Sequence, residues 1–268
     1  FNWSIGVGAS VAGSFDLPHD GGLFVRGFGG QSGVIFQERK IHRLTYTGGD
    51  VPFERDEIED KVGCMAPNAA TRYGNLIYFA SEDGFRVTDG NSSQAIGTNQ
   101  IDRYFASRLN YAQRARISMA VDMERRLLRC IFPTGGNGRP SEMLTYSIAD
   151  QKWTHDDTEL DLIFEAPRAG ISVNDDAAIA AVAGSSIVDE VNIPVDSPVW
   201  LESRKQVLAV NRLGEAGTLE GSNRAATLET SYGQITPGRT TFVSEVWPVT
   251  DAANVSAVIT SKLHRLSD

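Results

Sequence analysis

Between Ala69 and Gly97 the chain reads AATRYGNLIYFASEDGFRVTDGNSSQAIG. Leu76-Ile77-Tyr78-Phe79 is a short, continuous apolar run, the pattern of a strand covered on both faces. Phe85-Arg86-Val87-Thr88 alternates apolar and polar, the pattern of a strand with one buried face. Asp83-Gly84 lies between them, and Asp89-Gly90-Asn91 follows. An Asp-Gly step between two such runs predicts a hairpin, because a tight primed turn needs positive φ and Gly supplies it without steric cost.

The same pattern occurs elsewhere. Gly33-Val34-Ile35-Phe36 predicts a strand, Glu38-Arg39-Lys40 a turn, and Ile41 to Tyr46 a strand of alternating faces, closed by Gly48-Gly49-Asp50. Gly33 and Gly74 head the two units, a separation that suits a propeller blade of roughly 40–45 residues. A third unit runs from Ile117 to Asp156. Its strands are Ile117–Val121, Arg126–Phe132 and Met143–Ser147, and its last phrase, LTYSIADQKWT, carries Trp153 as an aromatic that packs between blades. Ile101, Tyr104, Phe105 and Leu109 form one helical stripe, which Thr98 or Asn99 can cap. Further strands are predicted at 206–210, 225–230, 241–247 and 255–260.

The expected fold is therefore mainly β: antiparallel, propeller-like blades, a β-sandwich-like C-terminal part and one short helix. The expected organisation is a glycine-rich N-terminal strand segment over 1–30, blades over 31–165, an acidic connection over 166–204 and further strands over 205–268. The 268 residues are enough for a sizeable core, and 41% hydrophobic with 22% charged content is globular composition. The chain opens on Phe1 rather than Met, and we expect a fragment or processed form of a longer protein. No apolar run approaches the roughly 20 residues that span a bilayer, so no membrane insertion by this chain is expected.

Charge is unevenly placed. The net charge is −9, yet Asp102 to Arg129 holds seven arginines and no lysine against three acids. Arg103, Arg108, Arg114 and Arg116 are the candidate subunit-interface residues, since a guanidinium fork pairs bidentately with carboxylates. Asp50 to Asp60 holds six acids and one base. Read as a solvated loop, it offers Asp56, Glu57, Glu59 and Asp60 as a candidate acidic channel face, a wall that repels phosphate.

Motifs for chemistry are few. GVGASVAG over 6–13 has the wrong spacing for a dinucleotide fingerprint and no amphipathic helix after it. His19, His42, His155 and His264 form no zinc pattern. GGQSG precedes a strand, so it is not a nucleophile elbow. His155-Asp156-Asp157 is read as a solvated turn, and the acids over 156–161 lack the Gly of a calcium loop. Cys64 and Cys130 are read as buried thiols. Catalytic residues, cofactor and metal are all expected to be none.

The stretch GVIFQERKIHRLTYTGGDVPFERDEIEDKVGCMAPNAATRYGNLIYFASEDGFRVTDGNSSQAIGTNQIDRYF resembles the tail nozzle proteins of short-tailed bacteriophages, a group that includes packaged-DNA stabilisation proteins. So does the later ATLETSYGQITPGRTTFVSEVWPVTD. The resemblance covers roughly 30–160 and 205–260. It implies a non-enzymatic structural protein of the virion tail, a propeller built into a ring, a hexamer, that extends or closes the DNA channel. The implied partners are copies of itself, neighbouring tail or portal-adaptor proteins, and genomic DNA that passes without sequence-specific binding. The alternative is a stand-alone propeller that binds a ligand or glycan, or an enzyme on that scaffold.

Overall fold

A computed structural model describes residues 16–48, 53–167, 205–219 and Ser256. The chain divides into two compact units, Phe1–Glu220 and Gly221–Asp268, and every described strand lies in the first. The strands predicted at 225–230 and 241–247, that at 255–260 apart from Ser256, and residues 1–15 of the glycine-rich N-terminal segment fall outside the described residues.

Strands β1 (Phe24–Phe28), β2 (Gly33–Gln37), β3 (Lys40–Tyr46) and β4 (Phe53–Asp60) form an antiparallel meander, sheet A. Sheet B is β5 (Ala70–Tyr73), β6 (Leu76–Ser81), β7 (Gly84–Thr88) and β8 (Ser93–Ala95). Sheet C is β9 (Ser118–Asp122), β10 (Leu127–Pro133), β11 (Pro140–Ser147) and β12 (Lys152–Asp157). Sheet D is β13 (Leu160–Pro167), β14 (Lys205–Asn211) and β15 (Ala216–Thr218). The protein is thus mainly β, with four antiparallel sheets. The two hairpins that look alike in sequence are the second and third strands of sheets A and B, so their likeness reflects equivalent positions.

Side-chain parity stacks the sheets in order. On β6, Phe79 meets Phe36 of sheet A at 5.0 Å between ring centres. The other face of sheet B carries Phe85, which meets Trp153 of sheet C at 4.7 Å. Sheet C repeats this: Leu128, Cys130 and Phe132 join the core with sheet B, while Ala120 and Ile131 join Ile163, Val207 and Ala209 of sheet D. Sheets B and C are covered on both faces, which is why Leu76–Ala80 of β6 is a continuous apolar run and β10 is apolar but for Arg129. Each fully buried Phe or Leu contributes about 1.5–3 kcal/mol of transfer free energy.

The sheets approach most closely at their first strands: β5 lies beside β9, and β9 beside β13. Hydrogen bonds link these strands in series. Arg26 of β1 donates to the carbonyls of Pro67 and Ala70 at 3.0 and 2.8 Å. Met119 N–H donates to Asn68 O at 2.8 Å, and Ile163 N–H to Ser118 Oγ at 3.1 Å. The Glu165 carboxylate on β13 accepts from Thr71 Oγ and from Val121 N–H, joining three sheets.

Helix α1 (Asp102–Arg108) enters where sheets B and C diverge, with Phe105 against Phe85 and Phe132 at 4.8 and 5.0 Å. The apolar stripe is as predicted, but the capping is not. Ile101 holds the N-cap position and no side chain caps the helix. Asn99 instead sits at positive φ in the preceding turn, a conformation Asn tolerates. Asp102 accepts the Phe85 N–H at 3.0 Å, and a Cβ on Gly84 or Gly97 would strike its carboxylate. Gly84, at φ +126°, therefore serves both the β6–β7 turn and the seating of α1.

Three expectations are corrected. Residues 53–60 form the edge strand β4 and not a loop, because all but Ile58 pair in register with β3 and acids among them find cations there. The boundary at residue 30 divides sheet A, since β1 pairs with β2. The boundary between 165 and 166 falls within β13, which pairs with β14, so strands on either side of 168–204 share one sheet.

Candidate functional site

One end of the stack gathers the turns that join second to third strands: β2–β3, β6–β7, β10–β11 and β14–β15. Over it runs the segment from α1 through a 3-10 helix at Tyr111–Arg116, which leads into β9. Turns presented by a rigid scaffold are the usual place for recognition. Here the Arg114 guanidinium reaches Glu38 of the β2–β3 turn at 3.3 Å and lies over the Tyr111 ring. The Tyr111 hydroxyl donates to Glu82 of the β6–β7 turn, and that bond, with partial burial, pushes its pKa up. The segment is thus fastened to two sheets by charge-assisted bonds.

Arg108 has a different task. Its guanidinium pairs with Glu142, whose side chain is 2% exposed. Tyr104 donates to the other oxygen of Glu142 at 2.8 Å. Burial and this bond raise the Tyr104 pKa, and Glu142 raises that of Arg108. Both oxygens of a desolvated carboxylate are satisfied, as such a group requires. Glu142 shares its parity on β11 with buried Leu144 and Tyr146; that alternation was the sequence signal for an inward carboxylate. Beside this pair is a cleft of about 330 Å³, where Glu159, just before β13, and Arg212 of the β14–β15 turn meet Asp157 and the hydroxyls of Thr134, Ser141 and Thr158.

The seven-arginine run is not one surface. Arg103, Arg108, Arg114 and Arg116 lie on the α1 and 3-10 segment, with Arg103, Arg108 and Arg116 exposed and Arg108 paired to Glu142. Arg125 and Arg126 occupy the β9–β10 turn at the opposite end. Arg129 is buried on β10 beside Asp122, and burial lowers its pKa.

The candidate acidic face is likewise matched by partners. Asp56 pairs with Arg43 at 2.8 Å. Glu57 and Asp60 share Lys40 with Asp20, at 3.0, 3.3 and 2.9 Å. Glu59 accepts from Ser93 N–H and Oγ at 3.1 and 2.7 Å, tying β4 to β8. Each acid thus holds sheet A to a neighbour or to itself, and Lys40 and Arg43 offset part of their charge. His155, Asp156 and Asp157 lie on edge strand β12 and not in a turn, with the imidazole over the Tyr104 ring at 5.3 Å. Both cysteines are free and buried, and burial pushes the Cys64 thiol up to about 12. No group of three or more His, Cys, Asp or Glu that could hold a metal occurs among the described residues, and no helix among them is long and apolar enough to cross a membrane.

No protein-family model matches this chain, and no curated protein matches it.

Proposed function

We propose that this chain is a structural protein of a bacteriophage virion, a ring-forming component of a short tail that extends or closes the DNA channel. In this reading the four sheets are blades of a propeller-like body. The order of the sheets carries it: sheets A, B and C are each a meander of consecutive strands, and neighbouring sheets are joined at their first strands. That is how blades are arranged about an axis. The resemblance of residues 30–160 to tail nozzle proteins supports the same reading.

Subunits of a ring need a complementary pair of surfaces, since a head-to-tail contact that repeats by rotation closes on itself. The segment with exposed Arg103 and Arg116 is one such surface, and it meets another copy or a neighbouring tail protein. The acids of β4 face water or the channel, where they keep passing DNA from adhering. Mass photometry of the purified chain tests the proposal. Particles at about six times the 29.1 kDa chain mass, seen as rings in negative stain, are expected. A single 29.1 kDa species at every concentration and salt, with no binding to tail components, overturns it.

A further inference from the structure

The buried imidazole of His42 is fixed by what surrounds it. Its Nε2 lies 2.7 Å from Gln37 Oε1. The Gln37 amide cannot be turned about, because its Nε2 donates to the carbonyls of Pro18 and Gly22 at 3.0 and 2.9 Å. Gln37 therefore presents an acceptor, and the His42 proton is on Nε2. His42 Nδ1 is a bare lone pair, buried and without a hydrogen-bond partner among the described residues. The imidazole is fully buried, so no water reaches that nitrogen.

The same glutamine holds the 3-10 helix at His19–Gly21 against sheet A. Arg39 N–H donates to Gly21 O at 2.9 Å, and Glu38 N–H to Leu23 O at 3.1 Å. A Cβ on Gly21 would strike the Gln37 amide, so the turn is packed directly on it. The charged groups facing His42 are Asp20 from this helix, Lys40 on its own strand, and Arg55 and Glu57 from β4. Lys40 is already shared by Asp20, Glu57 and Asp60, while Arg55 donates to Asp16 O at 2.8 Å.

We infer that His42 is a pH-sensitive latch: its protonation frees residues 16–22 from sheet A. A proton on Nδ1 creates a buried N–H donor with no acceptor, beside the cations Lys40 and Arg55. The cost of an unpaired buried donor is relieved when the Gln37–His42 pair opens to water. Opening takes from Gln37 its hold on Pro18 and Gly22. Burial, with Arg55 next, lowers the folded-state pKa of His42 below its ordinary 6.5. The neutral form's contribution is therefore complete above about pH 6.5 and lost as pH falls below that. Lys40 holds the Asp20 carboxyl below its ordinary 3.8, so that carboxylate stays charged down to about pH 5 and the Lys40–Asp20 pair is not what changes between about pH 7.5 and about pH 5.

Hydrogen exchange resolved by residue is the test, run from about pH 7.5 to about pH 5 and corrected for intrinsic rates. Protection of the Gly21, Gly22 and Arg39 amides should fall about tenfold or more, one unit of proton linkage, while β6 and β10 keep theirs. His42→Gln, which can still donate to Gln37 and cannot titrate, should abolish the fall. His19→Gln, removing the other histidine of the segment, should leave it intact. Should His42→Gln not fold, ring NMR of the parent decides: His42 must titrate together with the loss of protection. Unchanged protection down to about pH 5, an equal fall in His42→Gln, or a His42 that protonates with the segment still protected overturns the inference.

Discussion

Phe79 is fully buried between Phe36 and the other apolar groups of sheets A and B. Both walls of its site are hydrogen-bonded sheets, which collapse poorly into a void. Phe79→Ala should therefore lower unfolding free energy by about 3–5 kcal/mol, read from the denaturant midpoint; a loss below about 1 kcal/mol would mean that the site closes. The arginines divide by the same reasoning. Arg108 neutralises an almost fully buried carboxylate, so Arg108→Glu should lower the midpoint of unfolding and impair assembly only as a consequence. Arg103 and Arg116 are exposed, and Arg103→Glu with Arg116→Glu should leave the midpoint within about 0.5 kcal/mol of the parent. In the ring reading this pair of reversals weakens assembly, most strongly at low salt. Normal assembly of the double variant at every salt concentration would remove the segment from the interface.

At the scale of elements, α1 is seated by one carboxylate. Burial pushes the Asp102 pKa up, so its charged form is disfavoured where it sits, yet its Oδ1 is the acceptor for Phe85 N–H. Asp102→Asn keeps an acceptor and removes the charge; its thermal midpoint at neutral pH should equal or exceed the parent's. Asp102→Ala strands the N–H and should cost about 1–3 kcal/mol. If both variants behave alike, the charge and not the hydrogen bond is what matters. The helix was legible because Ile101, Tyr104, Phe105 and Leu109 bury one stripe; the role of Asp102 was not, since its partner comes from a strand 17 residues earlier. Strands β9, β10 and β11 were legible because apolar residues fill most of their positions, whereas the end of β12 was not, because His155, Asp156 and Asp157 carry no apolar signal. Strands β5 and β8 are too short for periodicity to register, with only four and three residues. In β4 acids fill most positions, and only the register with Lys40 and Arg43 makes a strand of it. Glu142 was hidden for another reason: parity marks a position as inward, but the Tyr104 and Arg108 that make a carboxylate tolerable there come from a different element.

For the molecule as a whole, the local meanders were readable and their mutual arrangement was not. That arrangement rests on contacts such as Glu165 with Thr71 and Val121, and Trp153 Nε1 with Ile96 O at 3.0 Å, which join residues far apart in the chain. Sheets A, B and C are each made from one uninterrupted stretch. Sheet D is different, because β13 finds its partner only after residues 168–204 have been made. At roughly 5–20 residues per second a ribosome needs about two to seven seconds for that stretch. During synthesis, then, three sheets can close as they emerge, while Leu160–Pro167 waits with its hydrogen-bonding edge open. Any factor that shields a nascent chain from its neighbours would matter most in that interval, and a pause in translation within 168–204 would lengthen it.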